Sequence, residues 1–509
     1  MSFKLCFDSS HCQLVFELPN TFRQRSALTS IIIHVVNSMA HPWAQEILLH
    51  LSRQLNDDSY AVSDDLFSCD PTILGKLKKS VKEIASSGRN ALPEACSNLD
   101  DLVTNAYTQL STSKYSPYKW RRLYTDASIV RSLADIPQLN DANEESALKS
   151  IERLDRAIVI AGPCGEGRLD LILYLITKIQ KECLQSMFQS NLPDHNLAGK
   201  VNDDPQLPKT FSKQIIRLHQ PPSFTSFLDN YSKQPFAISG FAKDWPAMNK
   251  HPWDSSNYLR SVSGPGRVIP VEIGSDYRED DWSQTMMNFD DFLSSIISNE
   301  SITPNSKKPI LYLAQHNLFT QFPQLREDII VPDYVYSSLS PPDDYPEYKP
   351  PSNEEQLVIN AWIGPKGTNS PAHTDPFYNF YAQIVGRKTV WLAPPSVSPY
   401  MYPYPPPSSP SPSDTSNQPS DSNNERKPQQ QQPHNPASNN TSPNMSNTSQ
   451  LDVFASSETT QPGFPNFWNH VIPEAICVTL NPGDLLFFPP GWWHAMRSED
   501  TSFSVSMWF

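Results

Sequence analysis

A chain of 509 residues with 40 basic and 54 acidic side chains has a formal charge of -14. It is too long for one ordinary domain and lacks the basic face of a nucleic-acid scaffold, while its acidity suits a basic protein or peptide partner. Its seven cysteines include no C-x-x-C pair, which argues against a zinc module or a disulfide framework and fits a reducing compartment.

Lys4 and Asp8 stand where a signal peptide would need an apolar core, and no stretch reaches the roughly 18 apolar residues of a membrane span. The expectation is an intracellular protein, nuclear or cytoplasmic, without membrane association. Helical spacing then dominates to about residue 185, with helices expected over 27–39, 43–55, 72–86 and 169–185. In the last, Leu169, Leu171, Ile172, Leu175, Ile176 and Ile179 form one apolar stripe. The run from Ile158 through Gly162, Gly167 and Arg168 has the spacing of a phosphate-binding loop. Arg168 and Leu169 replace the lysine and the hydroxyl that such a loop needs, so a helix–helix turn is the better account.

Residues 189–211 are polar and rich in proline and aspartate, which marks a linker between a helical N-terminal domain (1–188) and the remainder (212–509). Short apolar runs at 236–238, 268–273, 310–314, 357–363 and 380–391 read as strands, the last carrying Arg387 and Lys388. Residues 403–445 contain scarcely an aliphatic side chain and are expected to be a disordered insertion. The sequons at Asn440 and Asn447 are chance products of that composition. Beyond it, 476–480 and 485–489 flank a Pro-Gly turn, and 501–509 alternates Phe503, Val505, Met507 and Phe509 with Ser502, Ser504, Ser506 and Trp508, as a half-buried strand would.

The chemistry concentrates in two places. His373 and Asp375 lie two apart in strand-prone surroundings, which puts both side chains on one face. With His494, after the apolar run 484–488, they supply the 2-His-1-carboxylate face of non-haem Fe(II) oxygenases. Three further segments keep company with them, namely Tyr312-Leu313-Ala314-Gln315-His316, Asn360-Ala361-Trp362-Ile363-Gly364-Pro365 and Gly386-Arg387-Lys388. With His373-Thr374-Asp375-Pro376 and Phe503-Ser504-Val505-Ser506, the set resembles the Jumonji-C (JmjC) family of Fe(II)- and 2-oxoglutarate-dependent oxygenases. Within it, the chain most resembles the small branch typified by JmjC domain-containing protein 5, also called lysine demethylase 8-like.

The resemblance covers 212–509 apart from the insertion. It implies a multidomain α plus β chain: an all-α N-terminal domain, then a double-stranded β-helix (jelly-roll, cupin-like). It also implies Fe(II), 2-oxoglutarate and O2 as cofactors, His373, Asp375 and His494 as metal ligands, and Lys388, Tyr312, Ser370 and Asn379 as contacts to 2-oxoglutarate. Glu272, Trp282 and Gln315 match positions that line the substrate pocket. The aromatics Phe377, Tyr378, Trp492, Trp493 and Trp508 read as core. Three functions follow: hydroxylation of a protein side chain, arginine in a basic peptide; demethylation of histone methyl-lysine, with chromatin association; or a catalytically silent cupin-like interaction protein. The intact triad argues against the last.

Overall fold

The computed structural model describes residues 42–56, 65–87, 93–113, 117–136, 144–188, 193–199, 205, 207–274, 276–279, 281–299, 309–405, 445–455 and 463–509. The helix expected over 27–39 and the interior of the insertion, 406–444, lie outside them. The chain forms two compact units, one ending at Asn143 and the other running from Glu144 to Phe509.

In the first unit, α1 (Pro42–Asn56), α2 (Pro71–Ser87) and α3 (Pro93–Thr112) each begin on proline, whose fixed φ and missing N–H suit a helix's first position. Ala44, Leu48, Leu51 and Leu55 of α1 form its buried stripe, and Ala95, Leu99, Leu102 and Ala106 do the same on α3. α4 (Tyr118–Asp135) is buried nearly all round, including an Arg122–Asp126 pair at 3.2 Å one turn apart. Among the described residues, no helix is long and apolar enough to cross a membrane.

The second unit begins with α5 (Glu144–Ala161) and α6 (Arg168–Cys183). Gly162, Gly165 and Gly167 join them through left-handed backbone, so the phosphate-loop spacing is a helix–helix turn. Both helices had been expected in the N-terminal domain, yet they group with the β unit. On α6, Gln180 Nε2 donates to the Ser263 and Pro265 carbonyls at 2.9 and 2.8 Å, and on α5 a single carboxylate makes the tie. Asp155 of α5, 0% exposed, accepts two hydrogen bonds from Arg267, at 2.9 Å from Nε and 2.7 Å from Nη2. It also accepts from the Val268 amide at 2.9 Å and from Gln321 Nε2 at 2.7 Å. Part of the expected linker is likewise packed: Leu197 belongs to the core of this unit, and Asp194 accepts hydrogen bonds from Ser255 and the Asn257 amide.

Fourteen strands follow among the described residues: β1 (Lys213–Gln214), β2 (Ile216–Leu218), β3 (Phe236–Ile238), β4 (Val268–Ile273), β5 (Ser283–Asn288), β6 (Leu311–His316), β7 (Val358–Gly364), β8 (Asn369–Thr374), β9 (Asn379–Val385), β10 (Lys388–Ala393), β11 (Ile476–Leu480), β12 (Leu485–Phe488), β13 (Trp493–Ser498) and β14 (Ser502–Trp508). They form a nine-stranded sheet, β2-β3-β12-β9-β14-β7-β6-β4-β5, and a five-stranded sheet, β1-β11-β10-β13-β8. Tyr381, Leu486 and Phe488 of the large sheet pack with Val390, Val478, Leu480 and Met496 of the small one, which is the interior of a cupin-like jelly roll.

Two expectations change. The run 380–391 is not one strand but β9 and β10, broken at Gly386-Arg387. Gly386 has φ +65°, and a Cβ there would meet the Thr501 carbonyl oxygen at 2.0 Å, so only glycine fits the turn. β14 is not half-buried: all its residues are buried. Phe503, Val505 and Met507 join the outer core, while Ser504 donates to Gln383 Oε1 at 2.7 Å and Ser506 accepts from Trp362 Nε1 at 2.9 Å. The alternating serines face the barrel, where hydroxyls partner one another's neighbours instead of water.

The expected limits of the insertion also move inward. Pro403 pairs with Ser449, Thr448 bridges His373, and the Ser449 amide donates to the Ala372 carbonyl at 2.8 Å. Residues 402–404 and 447–449 therefore extend the small sheet beyond β8. The triplet at Asn447 is part of that extension, with Thr448 and Ser449 buried.

Candidate active site

β8 and β13 run antiparallel with His373 directly opposite His494, and their rings stand 4.2 Å apart between centroids. Asp375 follows one residue past the end of β8, where its carbonyl accepts from the Gly491 amide at 2.8 Å. One ligand atom from each of the three side chains lies within 4.8 Å of the others. His373 Nδ1 is 2.7 Å from the Pro371 carbonyl and His494 Nδ1 is 3.0 Å from the Trp492 carbonyl. A carbonyl can only accept, so each Nδ1 carries a proton and each Nε2 offers its lone pair inward.

Burial, helped by His494, pushes the His373 imidazole down to about 4, so it stays neutral near neutral pH. Burial alone would raise Asp375, but its interactions with the imidazoles of His494 and His373 outweigh it, and its carboxyl ends below the ordinary range. Two neutral nitrogen donors and one carboxylate on one face make a donor set for a divalent transition metal with open positions.

Lys388, at the start of β10, is 1% exposed. Its Nζ lies 3.0 Å from the Tyr381 hydroxyl and 3.5 Å from the Tyr312 hydroxyl, and it meets no carboxylate among the described residues. Burial pulls its ammonium down to about 7. Tyr312 in turn hydrogen-bonds Ser370, and burial drives its phenol well above the ordinary value. A buried lysine ringed by hydroxyls and lacking an anion is a receptor for a carboxylate.

Asn379 is also buried, its Oδ1 accepting from the Met507 amide at 3.3 Å. Trp508 sits opposite it, 8% exposed, on the face of β14 shared by Ser504 and Ser506. Its indole N–H has no partner among the described residues. Reading Trp508 as core missed this donor; the signal was its parity with the serines.

On β4, Glu272 stands opposite Tyr312 of β6. Trp282 Nε1 donates to one of its carboxylate oxygens at 3.3 Å and Gln284 Nε2 to the other at 3.4 Å. Burial raises its carboxyl in spite of those two bonds, and no cation pairs with it among the described residues. Gln284 was not singled out in the sequence. Gln315 is exposed, at a register shift of β6 with φ +47°, and makes no polar contact with this group among the described residues.

A profile of the cupin-like domain family matches residues 226–509. Lysine-specific demethylase 8 of Danio rerio is 32% identical over 398 residues, a match spanning 77% of this chain and 81% of that protein. The chain belongs to the JmjC family. Jumonji C domain-containing protein 5 of Drosophila melanogaster is 28% identical over 444 residues, 86% of this chain and 92% of that one. JmjC domain-containing protein D of Dictyostelium discoideum is 34% identical over 296 residues, 58% and 56% of the two chains. JmjC proteins are 2-oxoglutarate-dependent oxygenases that generally use Fe(II), and this chain is an oxygenase of that class.

Proposed function

We propose that this JmjC protein hydroxylates a protein side chain, an arginine within a basic peptide. Fe(II) would be held by the Nε2 atoms of His373 and His494 and the carboxylate of Asp375. Lys388 would pair with the distal carboxylate of 2-oxoglutarate, with Tyr312, Ser370, Asn379 and the indole N–H of Trp508 as further polar groups. When bound, Fe(II), 2-oxoglutarate and O2 would supply the oxidation, in which one oxygen atom enters a substrate C–H bond and the other succinate, with loss of CO2. The protein's own residues aim that reaction.

The observation that carries the arginine reading is Glu272. A desolvated carboxylate whose two oxygens are each steadied by one neutral donor, with an indole beside it, suits the planar fork of a guanidinium and its aromatic stacking. Pairing would return to Glu272 the counter-charge that burial denies it. At the metal, the backbone carbonyls of Pro371 and Trp492 keep both imidazoles in the ligating tautomer. At Lys388, an arriving carboxylate favours the ammonium and so draws a proton onto Nζ.

A second reading, demethylation of methyl-lysine in histones, is favoured by the name of the Danio rerio relative. Both use the same oxidation, since hydroxylating an N-methyl group releases formaldehyde. Mass spectrometry of peptides incubated with the protein, Fe(II), 2-oxoglutarate and O2 separates them. The expected result is one added oxygen on arginine, with succinate in equal amount. Loss of CH2 from methyl-lysine with formaldehyde release, and no oxidised arginine, would replace hydroxylation by demethylation.

A further inference from the structure

We infer that Arg278 is a positioning residue, a latch that ties the loop between Glu272 and Trp282 to the segment reinforcing the metal-bearing strand. The inference rests on the reading of Glu272 and Trp282 as the substrate wall. Arg278 lies in the turn after β4, and its guanidinium is itself held by Asp276, with Nη2–Oδ2 at 2.6 Å and Nε–Oδ1 at 3.0 Å. So oriented, Nη1 donates to two main-chain carbonyls, Ser449 at 3.1 Å and Leu451 at 2.8 Å. Beside it the Tyr277 hydroxyl meets Thr448 Oγ1 at 3.1 Å.

Those carbonyls belong to the segment that closes the open edge of β8. The Thr374 amide donates to the Asn447 carbonyl at 3.1 Å, Asn447 Nδ2 donates back to the Thr374 carbonyl at 2.9 Å, and the Ser449 amide donates to Ala372 at 2.8 Å. β8 therefore has a partner on each side, β13 and this segment, and Arg278 fastens the segment to the loop leading to Trp282. Asp276 is buried and the Arg278 side chain only about a tenth exposed, so water competes poorly for the carbonyls. Among the described residues, the side chains of Arg278 and Asp276 make no polar contact with the triad or with Lys388. Its effect falls on where Trp282 stands, and through Trp282 Nε1 on how Glu272 is held.

Arg278→Met and Asp276→Asn test this, the second variant keeping the guanidinium in case the first fails to fold. Affinity for a fluorescent basic peptide containing a single arginine, read by anisotropy, should weaken about tenfold in Arg278→Met and less in Asp276→Asn. The KM for 2-oxoglutarate and succinate release without peptide should stay at wild-type values. Hydrogen exchange should rise in 447–451 and 276–282 while β10 and β13 keep their protection. Arg278→Lys, with donors but no fork, should restore part of the affinity.

Unchanged peptide affinity in a folded Arg278→Met protein overturns the latch, provided Glu272→Ala weakens the same affinity. Exchange rising equally across both sheets, with iron and 2-oxoglutarate binding lost together, also overturns it and leaves a purely structural role. If Glu272→Ala itself binds the peptide normally, the substrate wall fails and the latch fails with it.

Discussion

The two ends of the site are built as opposites. At one, Lys388 is a cationic side chain with no anion beside it among the described residues, wholly buried and bonded to the hydroxyls of Tyr381 and Tyr312. At the other, Glu272 is an acid with no cation beside it among the described residues, half-buried and held by two neutral donors. β6 joins them, since Tyr312 touches Lys388 and stands opposite Glu272. A site closed at its cationic end suits a small diffusible acid, and one half-open at its anionic end suits a side chain still attached to its polypeptide. Each end carries a desolvation cost that only the right ligand offsets, and that cost is where selectivity between the two ligands comes from.

The largest expected effect removes the candidate metal ligands themselves. His373→Ala, Asp375→Ala or His494→Ala should each cut succinate formation by more than about a hundredfold, because two ligands hold Fe(II) poorly. Circular dichroism should remain that of the wild type, and undiminished turnover in any one would remove that residue from the metal site.

The ends should then fail in opposite ways. Glu272→Ala is expected to lose roughly 30-fold or more in peptide oxidation, while succinate release without peptide persists. Lys388→Met should raise the KM for 2-oxoglutarate by a similar factor and leave iron affinity alone. It should also stabilise the ligand-free protein by about 1 kcal/mol, since an unpaired buried amine is replaced by an apolar chain of like length. A lower melting temperature for Lys388→Met would mean that the lysine has a counter-charge without ligand.

A finer effect is the pH dependence of the cationic end. Lys388 sits at about 7 against an ordinary 10.5. Below 7 it is already charged and affinity for 2-oxoglutarate should be flat. Above 7 binding must take up a proton, so the Kd should rise up to about tenfold per pH unit. The ligand-free fold should gain stability from 7 toward 10.5, because there the unfolded chain binds the extra proton. Titration calorimetry in two buffers would detect the proton uptake, and a pH-independent Kd would place the charge elsewhere. The smallest effect concerns the insertion. Replacing 406–444 by a short Gly/Ser link should move the melting temperature by less than about 2 °C, since the paired residues 402–404 and 447–449 remain. Extending the cut to 402–449 should cost far more, because it strips the edge of β8.

The grouping of His373, Asp375 and His494 was legible because its signals are local: His373 and Asp375 share a strand face by spacing alone, and His494 follows an unmistakable apolar run. Lys388 and Tyr312 needed the family pattern, since nothing in a lone lysine says that its neighbours across two sheets are hydroxyls. Ser502, Ser504 and Ser506 misled because alternation reports two different faces but not what covers the second; here it is the barrel interior rather than solvent. β9 and β10 merged into one strand because Gly386 lies inside a run of strand formers, and the close Thr501 carbonyl that demands it is remote in sequence. Ile172, Leu175, Ile176 and Ile179 do form the buried stripe of α6, with Leu169 and Leu171 at its half-buried margin, but periodicity does not name a partner, and so it does not reveal that α5 and α6 group with the β unit. The indole donor of Trp508 had no sequence signature beyond parity, and although the family-like text resumes at Thr448-Ser449, nothing in it shows that 447–449 pairs with the edge of β8.

The clamp of Asp155 on Arg267 also orders events during synthesis. The carboxylate leaves the ribosome 112 residues before its guanidinium. Through that interval α5 can coil, yet it has no β4 to lie on, and its acid stays hydrated in the open. When β4 emerges, Arg267 can enter the interior only with that acid already waiting beside it, because an unmatched guanidinium is strongly disfavoured there. The nascent helix is thus expected to serve as a template against which the first long strand of the barrel is laid, well upstream of the segment that carries the candidate site.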